Sequence, residues 1–300
     1  MRANRTGSLI LELIHSALRL LNFVIGAKKR RLRWPVRCYC ESYAFSVIVV
    51  LLAGIFTPAH ADLPDVIDSI RPSIVGVGTS YPERQPIGNA RPSQLLGTGF
   101  VVGDGNLIAT NYHVIPASLD DQNRQSLAVF VGRGRAARIH LAELIAEDQE
   151  HDLVLLRIRG DPLPALTLGN AETVREGEIM AFTGFPIGAV LGLFPTTHQG
   201  IISSITPIAR TADNAADLSP TQLRHMRNPF DVFQLDAIAY PGNSGSPVYR
   251  QSNGEVIGVL NSVFIKESRE SVLERPSGIS FAVPVNWLEA LLRRTAGSEN

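Results

Sequence analysis

The chain has 300 residues, 45% of them hydrophobic, with 28 basic and 28 acidic side chains and two cysteines. That length allows one large or two small domains and a sizeable core. The neutral total conceals a split: nine basic and two acidic residues fall in 1–61, leaving 19 basic and 26 acidic from Asp62 onward, and an acidic main part argues against nucleic-acid binding, which calls for a basic face.

In chain order, a basic stretch Lys28–Arg37 (KKRRLRWPVR) precedes an uncharged apolar run, Ala44–Phe56 (AFSVIVVLLAGIF), and then Ala59-His60-Ala61. Basic region, apolar region and small-x-small site describe a secretory signal peptide cleaved after Ala61. The run is shorter than the roughly 20 residues of a membrane span; an uncleaved anchor is the alternative. Cys38 and Cys40 both precede the cleavage site, so the exported part has no thiol. It needs no disulfide and excludes a cysteine nucleophile or Cys-ligated zinc.

From Asp62 onward the sequence reads as short strands between turns. Segments 73–78, 99–102, 106–110, 127–131, 153–158, 179–183, 200–205, 233–237, 246–249, 256–260 and 279–283 are rich in β-branched and aromatic residues and bounded by Gly, Asp, Asn or Pro. Gly103-Asp104-Gly105 predicts a hairpin between two of them. Helical patterning is confined to Leu63–Ile70 and Val285–Arg294. The reading is an all-β protein of sandwich or barrel type. No internal repeat is evident, and 80–94 and 209–229 read as long loops.

Three segments carry chemistry. Gly242-Asn243-Ser244-Gly245-Ser246-Pro247 sets a serine between glycines, which let a backbone turn tightly and aim its N–H groups at one spot. A serine hydroxyl is a weak nucleophile and needs a base beside it and a cradle for the oxyanion. Thr110-Asn111-Tyr112-His113-Val114 ends a strand on a histidine, and His151-Asp152-Leu153-Val154-Leu155-Leu156 opens one after a carboxylate. Each alone is ordinary; together they give nucleophile, base and orienting acid in the order His…Asp…Ser.

TNYHV, HDLVLL and GNSGSP resemble the three catalytic motifs of the trypsin-like (chymotrypsin-fold) serine peptidases. GTGFVVGDGNLIATNYHVI, DLVLLRI, GEVIGVLNSV and GISFAVPVNWL are similar to the protease domain of the bacterial HtrA/Deg branch, over roughly Val66–Leu292. The resemblance implies two six-stranded antiparallel β-barrels with a short C-terminal helix. The expected division is 1–61 as extension and signal, 62–165 as the first barrel, and 166–300 as the second barrel with the helix. It implies His113 as general base, Asp152 as its orienting partner and Ser244 as nucleophile. The backbone N–H groups of Gly242 and Ser244 would form the oxyanion hole. By the same pattern Ile238, Val263 and Gly278 line the S1 pocket, which implies cleavage after small or medium apolar residues.

Departures qualify the resemblance. A PDZ domain usually follows in HtrA/Deg proteases and none is expected after the last helix. Ser246 stands where most members have a second glycine. Leu260 occupies the position of the histidine of glutamyl endopeptidases, so glutamate specificity is not expected. Asn243 in place of Asp removes zymogen activation through a new N-terminus. His140, His151 and His198 lack the spacing of a zinc site, and no metal or cofactor is expected. Gly132–Arg135 (GRGR) reads as a solvated turn and Gly188–Phe194 as core or cleft lining. The reading is a periplasmic or secreted endopeptidase acting on proteins or peptides, with no nucleic-acid partner. Its alternative is a catalytically silent binding module of the same fold.

Overall fold

The computed structural model describes residues 62–82, 93–186, 192–208, 229–261 and 278–298. The signal segment, both cysteines, Val263 and most of the two long loops lie outside them. Twelve strands form two closed barrels. The first holds β1 (Ile74–Ser80), β2 (Ser93–Val102), β3 (Leu107–Thr110), β4 (Ser126–Val131), β5 (Arg138–Asp148) and β6 (Leu153–Ile158). The second holds β7 (Ile179–Gly184), β8 (Thr196–Pro207), β9 (Asp231–Asp236), β10 (Pro247–Arg250), β11 (Val256–Asn261) and β12 (Ile279–Pro284). All pairs are antiparallel. Around each barrel the strands follow one order: β1-β2-β3-β6-β5-β4 in the first, and the equivalent β7-β8-β9-β12-β11-β10 in the second. The fold is therefore duplicated although the sequence shows no repeat.

Side-chain alternation explains why several strands read as continuous apolar runs. Val75, Val77, Val101, Ile108, Val154 and Leu156 fill the first barrel. Their neighbours Ile74, Phe100, Leu107, Leu153 and Leu155 point the other way, into a second core shared with Val256, Val259 and Val283 of the other barrel. Strands buried on both faces lose the polar alternation of a solvated sheet. Met180, Phe182, Ile202, Leu235, Val248 and Ile257 fill the second barrel. At roughly 25 cal/mol per Å2 of apolar surface, these three cores stabilise the two barrels.

Among the described residues two α-helices flank the barrels. α1 (Leu63–Ile70) starts at Asp62, whose carboxylate caps the Leu63 N–H at 2.9 Å. Val66 and Ile70, one turn apart, pack on Ala181 and Tyr249 of the second barrel. α2 (Val285–Ser298) buries Val285, Leu288 and Leu291 in the shared core and lies against β5, β6, β11 and β12. It thus touches both barrels.

The hairpin at 103–105 forms as expected, with Gly103 at φ 62° and Gly105 at φ 91°. β5 was not legible. Its sequence RIHLAELIAED places only Ala142 inside, while Ile139, Leu141 and Leu144 face solvent. With three of its apolar residues outward and its Ala, Leu and Glu good helix formers, it carries no strand signal of its own; pairing with β4 and β6 makes it one. The turn at 132–135 is not merely solvated: Gly134 N–H donates to Leu193 O at 2.8 Å, and the Arg133 guanidinium lies 5.4 Å from the Phe194 ring centre.

Candidate active site

His113 stands on a single helical turn, Tyr112–Val114, just past β3, and Asp152 immediately precedes β6. β3 and β6 are neighbours, with Thr110 opposite Val154, so adjacent strand ends bring the two residues together. His113 Nδ1 lies 2.6 Å from Asp152 Oδ2, and the His113 backbone N–H donates to Oδ1 at 2.9 Å. The Asp152 carbonyl accepts from the Tyr112 N–H at 3.1 Å and from the Asn111 side-chain amide at 3.0 Å. Asp152 itself has φ 55°, a left-handed conformation costly for most residues and best tolerated by Asn and Asp. A neutral imidazole donating from Nδ1 to this carboxylate keeps Nε2 as an acceptor.

Ser244 lies in the connection from β9 to β10. Two successive turns shape it: the Asn243 N–H donates to Tyr240 O at 2.9 Å and the Ser246 N–H to Asn243 O at 3.0 Å. Gly242 at φ 99° and Gly245 at φ 84° occupy the positions that need positive φ. A Cβ on Gly245 would fall 2.1 Å from Thr98 O and 2.3 Å from Thr110 Oγ1, so the loop is pressed against β2 and β3. Thr98 fastens it there. Its N–H donates to Ser244 O at 2.9 Å and its hydroxyl to Gly242 O at 2.7 Å. That hydroxyl also accepts from the Phe185 N–H at 2.9 Å, and the Thr98 carbonyl accepts from the Thr110 hydroxyl at 2.6 Å. Ser244 is thus seated on the two strands that lead to His113.

A further contact crosses between the barrels. The side-chain amide of Asn261, fully buried at the end of β11, donates to Asp152 Oδ2 at 2.6 Å. Sequence reasoning missed Asn261; the only signal is a polar residue closing the apolar run VIGVLN. It also missed Thr98, which reads as one more strand residue.

Ile238 is partly buried just beyond β9, and Gly278, at φ 72°, just before β12. The two strands pair at Asp236 and Ile279, so these residues occupy neighbouring strand ends. Val263 lies outside the described residues. Asn243 and Ser246 are fully buried, and Asn243 Oδ1 and Nδ2 and Ser246 Oγ lack hydrogen-bond partners. His198 stacks on Phe182 at 4.9 Å, where burial lowers its pKa. Leu260 is buried inside the second barrel. Among the described residues no three His, Cys, Asp or Glu side chains gather as a metal site.

Residues 97–259 match the family profile of the trypsin-like peptidase domain. The chain belongs to that family. This trypsin-like peptidase chain is 31% identical over 199 residues to a probable periplasmic serine endoprotease DegP-like of Halomonas elongata, covering 66% of this chain and 35% of that one. It is 29% identical over 231 residues to serine protease HTRA3 of Rattus norvegicus, covering 77% of this chain and 43% of the relative. Among solved structures, the HtrA-type protease AlgW with a tripeptide superposes at a TM-score of 0.55 and 25% identity, covering 78% of this chain and 63% of AlgW. The chain thus spans roughly a third to a half of the curated relatives it matches.

Proposed function

We propose that this chain is a serine endopeptidase of the HtrA/DegP type that hydrolyses peptide bonds through an acyl-enzyme. The observation that carries the reading is the 2.6 Å contact of His113 Nδ1 with Asp152 Oδ2, made beside a glycine-shaped loop presenting Ser244. His113 Nε2 takes the Ser244 proton as its Oγ attacks the scissile carbonyl, then returns it to the leaving amine. Asp152 holds the imidazole tautomer and stabilises the imidazolium. The Gly242 and Ser244 N–H groups receive the oxyanion, each donor worth about 3 kcal/mol in the transition state. Ile238 and Gly278, at neighbouring strand ends, line an S1 pocket that favours Val, Ala, Leu or Met before the scissile bond, with modest discrimination between them. Export follows from the segment 44–61, in keeping with relatives named periplasmic.

The test is labelling of the purified protein with a fluorophosphonate probe, beside Ser244→Ala and His113→Ala. Labelling lost in both variants supports the reading. No labelling of the parent protein, or labelling that survives Ser244→Ala, overturns it. Peptide profiling that finds cleavage after Arg or Lys removes the pocket assignment.

A further inference from the structure

Asp152 has a second set of neighbours on its upstream side. The turn from β5 to β6 runs Asp148-Gln149-Glu150-His151-Asp152. Asp148 folds it back on itself: Oδ1 accepts the His151 backbone N–H at 3.1 Å and Oδ2 faces the His151 ring Nδ1 at 3.0 Å. Both side chains are only 9% exposed. Neither belongs to the machinery above, yet His151 is the residue covalently joined to Asp152.

This turn is gripped from outside by the C-terminal helix. Arg294 of α2 reaches Asp148 Oδ2 at 2.9 Å. Seven residues earlier, two turns along the same helix, Trp287 stacks face to face on the His151 ring, 3.7 Å between centres and 16° from parallel. Phe230 meets the ring edge-on at 4.6 Å. The His151 imidazole is therefore fixed on one nitrogen, one face and one edge. A left-handed residue such as Asp152 persists only where its surroundings over-determine it.

We propose that α2 is the clamp that positions the catalytic aspartate, acting through Arg294–Asp148 and Trp287–His151 on the turn that carries Asp152. The proposal rests on the triad reading, because it assigns a purpose to the exact setting of Asp152. Asn111, Tyr112, His113 and Asn261 hold Asp152 from the downstream side; the clamp holds the peptide that enters it. Release of the clamp lets that peptide relax, moves the carboxylate away from His113 Nδ1, and slows chemistry without altering the substrate groove. Arg294, Asp148, His151 and Trp287 are positioning residues.

The experiment measures kcat and KM of the full-length protein on one fluorogenic peptide, together with the downfield proton signal of the His113 Nδ1–H in water. Variants are Arg294→Gln, Arg294→Lys, His151→Phe, Asp148→Asn and the Asp148→Asn/Arg294→Gln double, with Arg293→Gln as control. Arg293 is one residue away on α2 and pairs with Glu289. Arg294 is 61% exposed, so Arg294→Gln folds even where Asp148→Asn does not. Expected is a fall in kcat of about tenfold for Arg294→Gln and His151→Phe with KM nearly unchanged. The proton signal broadens or shifts, Arg294→Lys recovers most of the rate, and the double variant is no slower than Asp148→Asn alone. An unchanged kcat in Arg294→Gln, or an equal fall in Arg293→Gln, overturns the clamp. Asp152→Asn separates the two levels. If it leaves kcat intact the triad reading has failed; if it abolishes kcat while Arg294→Gln leaves kcat unchanged, only the clamp has failed.

Discussion

Asn261 of the second barrel and Asp152 of the first share a hydrogen bond of 2.6 Å, ending on the same oxygen that faces His113 Nδ1. The carboxylate is thus oriented by donors from both halves of the molecule. Replacing Asn261 with Ala removes a charge-assisted bond of about 1.5–3 kcal/mol. The expected result is a kcat reduced by ten- to a hundredfold with KM little changed. Wild-type turnover in a folded Asn261→Ala would show that Asp152 needs no second anchor.

Gly245→Ala should damage the protein in two ways. The residue sits at φ 84°, and the new methyl would collide with the Thr98 carbonyl at 2.1 Å. Neither obstacle is a flexible side chain, so the Ser244 loop must leave its seat on β2. Expected is loss of fluorophosphonate labelling and a destabilisation of about 2 kcal/mol or more; retained labelling at the parent rate would contradict the packing described.

Ser246→Ala should go the other way. The hydroxyl is fully buried without a partner, while the backbone bonds of Ser246 to Asn243 and Leu260 survive the change. Removing an unsatisfied polar group is neutral or stabilising by up to about 1 kcal/mol. A clear fall in the thermal midpoint would reveal a partner for that oxygen.

Acid stability should carry a contribution from Asp148. Burial pushes its carboxyl up, but the hydrogen bonds from the His151 ring and backbone, the His151 charge and Arg294 outweigh burial and bring it from 3.8 to about 2. A lowered carboxylate stabilises the fold fully above the unfolded value, and that stabilisation disappears as pH falls from about 4 through about 2. It amounts to about 2 kcal/mol. Asp148→Asn should therefore unfold earlier in urea at pH 7, and its deficit should shrink toward pH 2. A deficit independent of pH would mean the carboxylate charge is not what matters.

Arg250 joins the turn after β10 to the approach to β7. It meets Glu178 at 2.6 Å and the Thr173 hydroxyl at 2.8 Å, and is 15% exposed. Arg250→Met leaves Glu178 half-buried without its cation, and should cost about 1–3 kcal/mol measured by denaturant unfolding. A midpoint equal to the parent's would make this pair a surface ornament.

Legibility followed burial and locality. TNYHV and HDLVLL were readable as strand ends carrying His113 and Asp152, and GNSGSP as a turn shaped by its glycines. LVLLRI and VIGVL announced themselves as strands because both their faces are covered. β5 was hidden because Ile139, Leu141 and Leu144 point outward and its order comes from its neighbours. Asn261 and Thr98 were hidden for a different reason: each acts on a residue more than a hundred positions away in the chain, and only the apposition of the barrels gives either a partner. The clamp of α2 on the β5–β6 turn joins residues 146 apart and leaves no local trace.

Thr98 gives the order of synthesis a meaning. It is made long before Gly242–Ser246, yet it receives that loop on two of its atoms, the backbone nitrogen and the hydroxyl oxygen. The earlier half of the chain is a mould waiting for the later half to be poured against it. A chain broken off, or released before residue 242, therefore contains the mould without the blade, and a second barrel torn from the first holds a blade that has lost its shape.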